Sequence, residues 1–261
     1  MKNIVNFLFT SAIKNVIIIY MNQKDITDIS YFIPIIIKII IVLIIVILLY
    51  MFCKGAINAN KFKKCDSCKF NGIKQFKIHI PNHILDQCLK LANSIESKRV
   101  NLLGWKAGKT VPTTKMTLDI INFYKSLCSM ISGIIGEKVQ ITELDLPTSC
   151  AVLTYDKPND FINWHYDVNY FNGRFFTFIV MLDKSNKCTT KFVYKNENNV
   201  TKEIDLLPSE CVLFEGDIIH HAATKMQDNE YRHILSMQFS TDPDITFVNG
   251  MLMRLKDQAY V

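Results

Sequence analysis

Several chemistries are excluded by what this 261-residue chain lacks. Of its eight cysteines only Cys65 and Cys68 stand as C-x-x-C, and a four-ligand zinc module needs two such halves. The other six are scattered through apolar contexts, where a buried reduced thiol is the ordinary state. An even count also permits disulfides, so cysteine usage leaves the redox compartment open. The charge excess is small, 30 Lys and Arg against 24 Asp and Glu for a net +6, and much of it falls in one short stretch. That is not the footprint of a nucleic-acid binder, and no basic strip interleaved with aromatics runs through the second half. Internal repeats and long low-complexity tracts are missing too. Glycine is scarce, at 9 residues, but Ile, Lys and Asn are enriched as an A/T-rich coding sequence would make them, and this bias carries no structural meaning.

The strongest signal present is "FIPIIIKIIIVLIIVILLYMF", residues 32–52. It is long and apolar enough to cross a bilayer as one helix, and Lys38 lies near its start, where the side chain can snorkel to the interface. A globular helix of that length ordinarily keeps a polar face, and a cleaved leader would start earlier and be shorter. Residues 1–31 hold a weaker apolar face (Ile4, Phe7, Leu8, Ile13, Val16, Ile17, Tyr20) interrupted by Asn6, Lys14 and Asn15. This segment reads as interfacial, with a second span as the alternative. Residues 53–75 form a basic linker with Lys54, Lys61, Lys63, Lys64 and Lys69 against Asp66. Positive charge beside a span stays cytoplasmic, which places the remainder of the chain, residues 76–261, in the cytosol.

That remainder reads as globular. "PNHILDQCLKLANSI" and "TTKMTLDIINFYKSLCSMISGIIG" carry apolar residues at helical spacing, the second stopping at Gly136. After Val139 the period becomes two, and some eight short strands follow, broken by "DKPND", "FNG", "DKSNK", "KNENN" and "LPSE". Helices packed on a β-sandwich or barrel are expected.

Chemistry gathers at two places. In "FINWHYDVNY", read as one strand from Phe161 to Tyr170, alternation puts Asn163, His165 and Asp167 on one face. With six histidines in the chain, an H-x-D arises readily by chance, and alone it reads as a polar pair. Downstream, "CVLFEGDIIHHAATKM" brings a strand, a glycine turn and His220–His221, and Arg232 follows eleven residues beyond His221. Two histidines and one carboxylate on a β scaffold, with coordination positions left open, form the facial triad of non-haem Fe(II) oxygenases. A nearby arginine suits a carboxylate-bearing cosubstrate. Arg232, Ile234 and Ser236 share a strand face.

These residues resemble the Fe(II)- and 2-oxoglutarate-dependent dioxygenases of the prolyl-4-hydroxylase-like type. The family's order of H-x-D, distal His after an F-x-G turn, then a cation is matched by His165-Tyr166-Asp167, Phe214-Glu215-Gly216, His221 and Arg232. The segment "GRFFTFIVMLDKS" is similar to the family's next strand, where a threonine precedes an apolar run. The resemblance spans roughly residues 80 to 245 and implies an α+β double-stranded β-helix (jelly-roll, cupin-like) with N-terminal supporting helices. It further implies Fe(II) held by His165, Asp167 and His221, and 2-oxoglutarate anchored by Arg232 with contacts from Tyr155 and Ser236. O2 is the oxidant, ascorbate a candidate auxiliary, and succinate and CO2 are the co-products. Of the doubled histidines, His221 is five after Gly216 and three before Thr224, as in relatives, and His220 falls on the other face. The resemblance departs at "DKPND", where many relatives have glycine, and at Arg232, where collagen-type prolyl hydroxylases have lysine.

The implied activity is hydroxylation of a C–H bond on a protein or peptide side chain, prolyl or lysyl, by an enzyme that also meets a lipid bilayer. The rival readings are an inactive membrane-anchored β-barrel binding module, and the same chemistry on a lipid or small substrate. Anchored relatives also face a lumen, the alternative to the cytosolic side. His79, His83 and His233 read as structural, and Trp105 as a packing residue on a loop between the helices.

Overall fold

A computed structural model gives the structure of residues 35–42, 45, 46, 70–102, 104–246, 249, 250 and 253. The chain divides into two compact units, Met1–Lys54 and Gly55–Val261. In the first, residues 35–42, 45 and 46 are helical with every side chain exposed. Residues 1–31 and the Cys65/Cys68 pair lie outside the described residues.

The second unit is a curled, mostly antiparallel sheet with two helices on one side. Its strands are β1 (Ile73–Lys77), β2 (Lys98–Leu102), β3 (Lys106–Val111), β4 (Gln140–Ile141), β5 (Cys150–Tyr155) and β6 (Phe161–His165). They continue as β7 (Phe175–Lys184), β8 (Phe192–Lys195), β9 (Thr201–Ile204), β10 (Glu210–Phe214), β11 (His221–Ala223) and β12 (Arg232–Ser240). The order across the sheet is β1-β10-β7-β12-β5-β3-β6-β11-β8-β9, with β2 on β3 and β4 on β12. The non-sequential neighbours are those of a jelly roll, in which strands from both ends of the chain alternate across the sheet.

The helices are α1 (Asn82–Ala92) and α2 (Leu118–Ile135). Thr117 caps α2 by accepting from the Ile120 amide, and Gly136 ends it in the left-handed region at φ 84°. By length and composition alone α2 could cross a membrane. Its buried stripe of Ile120, Ile121, Tyr124, Leu127, Ile131 and Ile135 instead packs on the sheet, and the Tyr124 hydroxyl donates to the Gln238 carbonyl of β12. It is a core helix.

Period two sorts the strands. Cys150 and Val152 (β5), Phe176, Phe178 and Val180 (β7) and Leu235, Met237 and Phe239 (β12) join the helices in one cluster. Their alternates line a cavity on the other face: Leu153 and Tyr155, Ile179 and Met181, Arg232 and Ile234. A sheet buried on both sides explains why these strands read as near-continuous apolar runs.

Three elements differ from expectation. Strands β1 to β3 lie among the helices, where only helices and loops were expected, because their faces are too polar to show alternation. Strand β1 starts at Ile73 and Phe70 is buried, so the folded unit begins inside the stretch read as linker. Trp105 sits in the turn of the β2–β3 hairpin between the helices, its amide donating to the Leu102 carbonyl at 2.6 Å, but at 62% exposed it is not the packing residue expected.

Phe178 is fully buried between the stacked ring of Phe76 and that of Phe239. Phe178→Ala should lower the unfolding free energy by about 3–5 kcal/mol, read as a shift in urea midpoint; an unchanged midpoint would show that this cluster is not the core.

Candidate active site

Three side chains converge where β6 ends and β11 begins. Strand β6 stops at His165 and does not run on to Tyr170. Asp167 therefore arrives from the loop beyond, not by strand alternation. Its amide donates to the Gly216 carbonyl at 2.8 Å, which ties this loop to the turn after β10. His221 opens β11 and pairs directly with His165. The ligand atoms of His165, Asp167 and His221 lie within 4.8 Å of one another. His165 Nε2 is 3.4 Å and His221 Nε2 3.9 Å from Asp167 Oδ1.

Each group is fixed from behind. His165 Nδ1 bonds the Asn163 carbonyl at 2.7 Å, and His221 Nδ1 bonds the Ile219 carbonyl at 2.8 Å. Each Nδ1 thus carries the proton, and each Nε2 turns its lone pair to the centre. Thr177 donates to Asp167 Oδ2 at 2.6 Å, leaving Oδ1 facing the imidazoles. The reason for glycine in "FEG" is steric. A Cβ on Gly216 would stand 2.3 Å from Asp167 Oδ2 and 2.8 Å from Thr177 Oγ1. The turn is pinned by the neighbouring Glu215, which accepts both Nε and Nη2 of Arg174 at 2.9 Å.

The electrostatics suit a cation. Burial alone would raise the Asp167 pKa, but the two histidines and Thr177 prevail and hold it well below the usual carboxylate range. Burial opposes protonation of His165, yet the hydrogen bond and charge of Asp167 outweigh it, and its pKa is raised. For His221 burial wins, lowering its pKa to about 4, so it is neutral at ordinary pH.

A cavity of ≈ 340 Å³ opens from this trio and has Arg232 in its lining. The Arg232 side chain is 2% exposed, and its Nε and Nη2 have no hydrogen-bond partner among the described residues. Its guanidinium lies 4.2 Å from the centroid of the Tyr155 ring. Tyr155 in turn presses on Gly108, where an added Cβ would come within 3.2 Å of the ring. Ser236 lines the same cavity. A second, smaller cavity of ≈ 180 Å³ meets His165 and Asp167 from the side of Phe171, Phe175 and Met253.

The structure thus brings together His165, Asp167, His221, Arg232, Tyr155 and Ser236. It sets His220 apart, stacked on Tyr166 and close to Trp164. His233 faces away from the cavity and bonds Thr154 Oγ1 at 2.9 Å. Sequence reading missed Arg174, Glu215 and Lys106. Glu215 sits within the motif, and only its intervening position hid it. Nothing local marks the other two.

No protein-family model and no curated protein matches the chain. Solved structures do. An oxidoreductase of the 2OG-Fe(II) oxygenase family from Burkholderia pseudomallei superposes with TM-score 0.54 at 13% identity, over 74% of this chain and 94% of that one. A prolyl hydroxylase from Trichoplax adhaerens, solved with a hypoxia-inducible factor oxygen degradation domain peptide, gives 0.52 at 16% identity, over 74% and 92%. The epimerase SnoN of nogalamycin biosynthesis, in complex with Fe3+, alpha-ketoglutarate and nogalamycin RO, gives 0.54 at 11% identity, over 71% and 84%. The fold of residues 70–246 is that of the 2-oxoglutarate–Fe(II) oxygenases. A prolyl hydroxylase and an epimerase share this fold alike, and in this chain the His-Asp-His trio sits where β6 ends and β11 begins.

Gly216→Ala should weaken Mn(II) binding at least about tenfold while leaving the circular dichroism spectrum intact, since the added methyl displaces the Asp167 carboxylate. Wild-type affinity in that variant would refute the steric role. Below the raised pKa of His165 a metal ion must displace a proton, so Mn(II) affinity should climb with pH and then level off once His165 is neutral. Calorimetry in buffers of different ionisation enthalpy reads this proton; affinity independent of pH between about 6 and 8 would contradict it.

Proposed function

We propose that the protein is a membrane-anchored Fe(II)- and 2-oxoglutarate-dependent dioxygenase. It hydroxylates a C–H bond on a protein or peptide side chain of prolyl or lysyl type, with succinate and CO2 as co-products. The observation that carries this reading is Arg232. A guanidinium 2% exposed, with two nitrogen atoms that have no hydrogen-bond partner among the described residues, is costly unless an anion meets it. The cavity it lines also receives two imidazoles and a carboxylate able to hold a divalent ion. A dicarboxylate spanning these two ends satisfies both.

His165, Asp167 and His221 would hold the iron through Nε2, Oδ1 and Nε2, leaving positions open for cosubstrate and O2. Iron with 2-oxoglutarate supplies the oxidative decarboxylation and the insertion of oxygen into a C–H bond. The protein's share is position. The backbone carbonyls of Asn163 and Ile219 fix the ring orientations and Thr177 fixes the carboxylate. Arg232, braced by Tyr155, takes the far carboxylate of the cosubstrate, and Ser236 offers a hydroxyl in the same cavity. Leu153, Ile179, Met181 and Ile234 wall the cavity with apolar surface that excludes water. Ascorbate would serve to restore iron to Fe(II).

The membrane reading rests on residues 32–52. At all its described positions this segment is helical and exposed, Ile35 to Val42 included. A helix apolar on every side needs an apolar surrounding, and a bilayer is one. The lysines of residues 53–75 favour the cytosolic side for the domain.

Asp167→Ala should abolish succinate formation, and Arg232→Ala should raise the 2-oxoglutarate concentration for half-maximal rate by roughly thirtyfold or more, the worth of a buried charge-assisted contact. A product 16 Da heavier should appear by mass spectrometry in cells with the active chain and vanish with Asp167→Ala. Wild-type succinate yield from Asp167→Ala would refute the assignment.

A further inference from the structure

The two cavities share Thr148, His165, Tyr166, Asp167 and Gln238 in their linings. Two of the three metal ligands therefore stand at the junction, and Gln238 stands there with them. Its place is set by backbone. Leu235, Met237 and Phe239 of β12 point into the helix-covered core, so the alternate positions Arg232, Ile234, Ser236 and Gln238 face the interior of the barrel. Gln238 is the register partner of Thr177 on β7, and Thr177 is the residue whose hydroxyl holds Asp167. Cross-strand partners share a face with Cβ atoms about 5 Å apart, which puts Gln238 level with Asp167. Arg232 lies at the other end of the strand, roughly 20 Å away at the rise of an extended chain. The Gln238 main chain is pinned as well: its amide donates to the Ser149 carbonyl at 2.8 Å, and its carbonyl accepts from the Thr142 amide at 3.3 Å and from the Tyr124 hydroxyl.

The second cavity offers a different chemistry from the first. Tyr166, Tyr170, Phe171 and Phe175 give it aromatic walls, with Val168 and Met253 beside them. Set among these at the junction are one carboxamide and one hydroxyl, Gln238 and Thr148, both partly buried. Neither side chain is hydrogen-bonded to another described residue. A carboxamide presents donors and an acceptor together, and a hydroxyl does the same. The group that matches both is one with its own donor and acceptor side by side, a peptide group. A wholly apolar molecule would strip the water from Gln238 and Thr148 and return no bond. The volume of ≈ 180 Å³ is below the roughly 300–1,000 Å³ of pockets that enclose a whole small molecule. It suits one side chain with the peptide group next to it.

We infer that the second cavity seats the residue of the primary substrate that is hydroxylated, and that Gln238 is a specificity residue that hydrogen-bonds the peptide group flanking it. The inference rests on the iron and 2-oxoglutarate reading and narrows it. The cosubstrate lies in the first cavity between Arg232 and the metal, and the substrate reaches the metal from the other side of His165 and Asp167. The substrate is then an internal residue of a peptide, amide-linked on both sides, and neither a free amino acid nor an acyl chain.

The test loads the full chain in detergent with 2-oxoglutarate and Mn(II), which stands in for iron and prevents turnover. It measures the manganese-induced proton relaxation of N-acetyl-proline N-methylamide and N-acetyl-lysine N-methylamide, each against its methyl ester, which lacks the amide N–H. For at least one of the two residues the amide should bind at least about tenfold more tightly than the ester. Gln238→Leu should bring the amide down to the level of the ester. Val168→Trp, which fills the second cavity at a position that does not line the first, should expel both. Affinity for 2-oxoglutarate should stay within a few-fold of wild type in each variant. Amide and ester bound alike, no binding of either, a preference that survives Gln238→Leu, or a Gln238→Leu protein that loses 2-oxoglutarate instead overturns the inference and leaves the iron reading standing. Failure of wild-type protein to take up Mn(II) and 2-oxoglutarate together overturns both.

Discussion

The site depends on one close approach, that of the Asp167 loop to the Gly216 turn. The Asp167 amide reaches the Gly216 carbonyl, and the Asp167 carboxylate occupies the space where any other residue at 216 would place a Cβ. This contact joins two parts of the chain some fifty residues apart. It lets one carboxylate, delivered by a loop, stand between imidazoles delivered by strands. Much of the surrounding structure braces it: Arg174 clamps Glu215, Glu215 holds the turn by donating its amide to the Gly72 carbonyl, and Thr177 holds the carboxylate. Strand β7 supplies Thr177 to the cavity and, on the alternate residues, Phe176 and Phe178 to the helix-covered core. The site therefore inherits its rigidity from the packing of α1 and α2 on the opposite face.

Burial sets the charges. In a low-dielectric cavity the histidines differ although they are neighbours, His165 drawn toward protonation by Asp167 and His221 kept neutral by burial. The same burial makes Arg232 an unusual group. It lies over the Tyr155 ring, and among the described residues its Nε and Nη2 have no hydrogen-bond partner. Gly108 contributes by omission, since a side chain there would push Tyr155 from beneath the guanidinium.

Much of this was legible in the sequence. His165, Asp167, His221 and Arg232, singled out by residue type and order in the sequence, do line one cavity. Both helices announced themselves through apolar period, and α2 also through its terminal Gly136. Strands β1 to β3 did not, because β3 points Lys106, Gly108 and Thr110 inward and so hides the usual alternation. The delivery of Asp167 by a loop was hidden too: "FINWHYDVNY" alternates well enough to pass as a strand throughout, and only the pairing of His165 with His221 shows where it stops. Arg174 acts through Glu215, distant in sequence, which no local pattern displays.

The central claim is that His165, Asp167 and His221 form an iron site with open positions for a chelating 2-oxo acid. It is tested most directly by adding Fe(II) and 2-oxoglutarate to the protein without oxygen. A weak visible charge-transfer band should develop and saturate at one iron and one 2-oxoglutarate per chain, be lost in Asp167→Ala, and fail to form when succinate replaces 2-oxoglutarate. Absence of the band from wild-type protein, or its persistence in Asp167→Ala, would contradict the account.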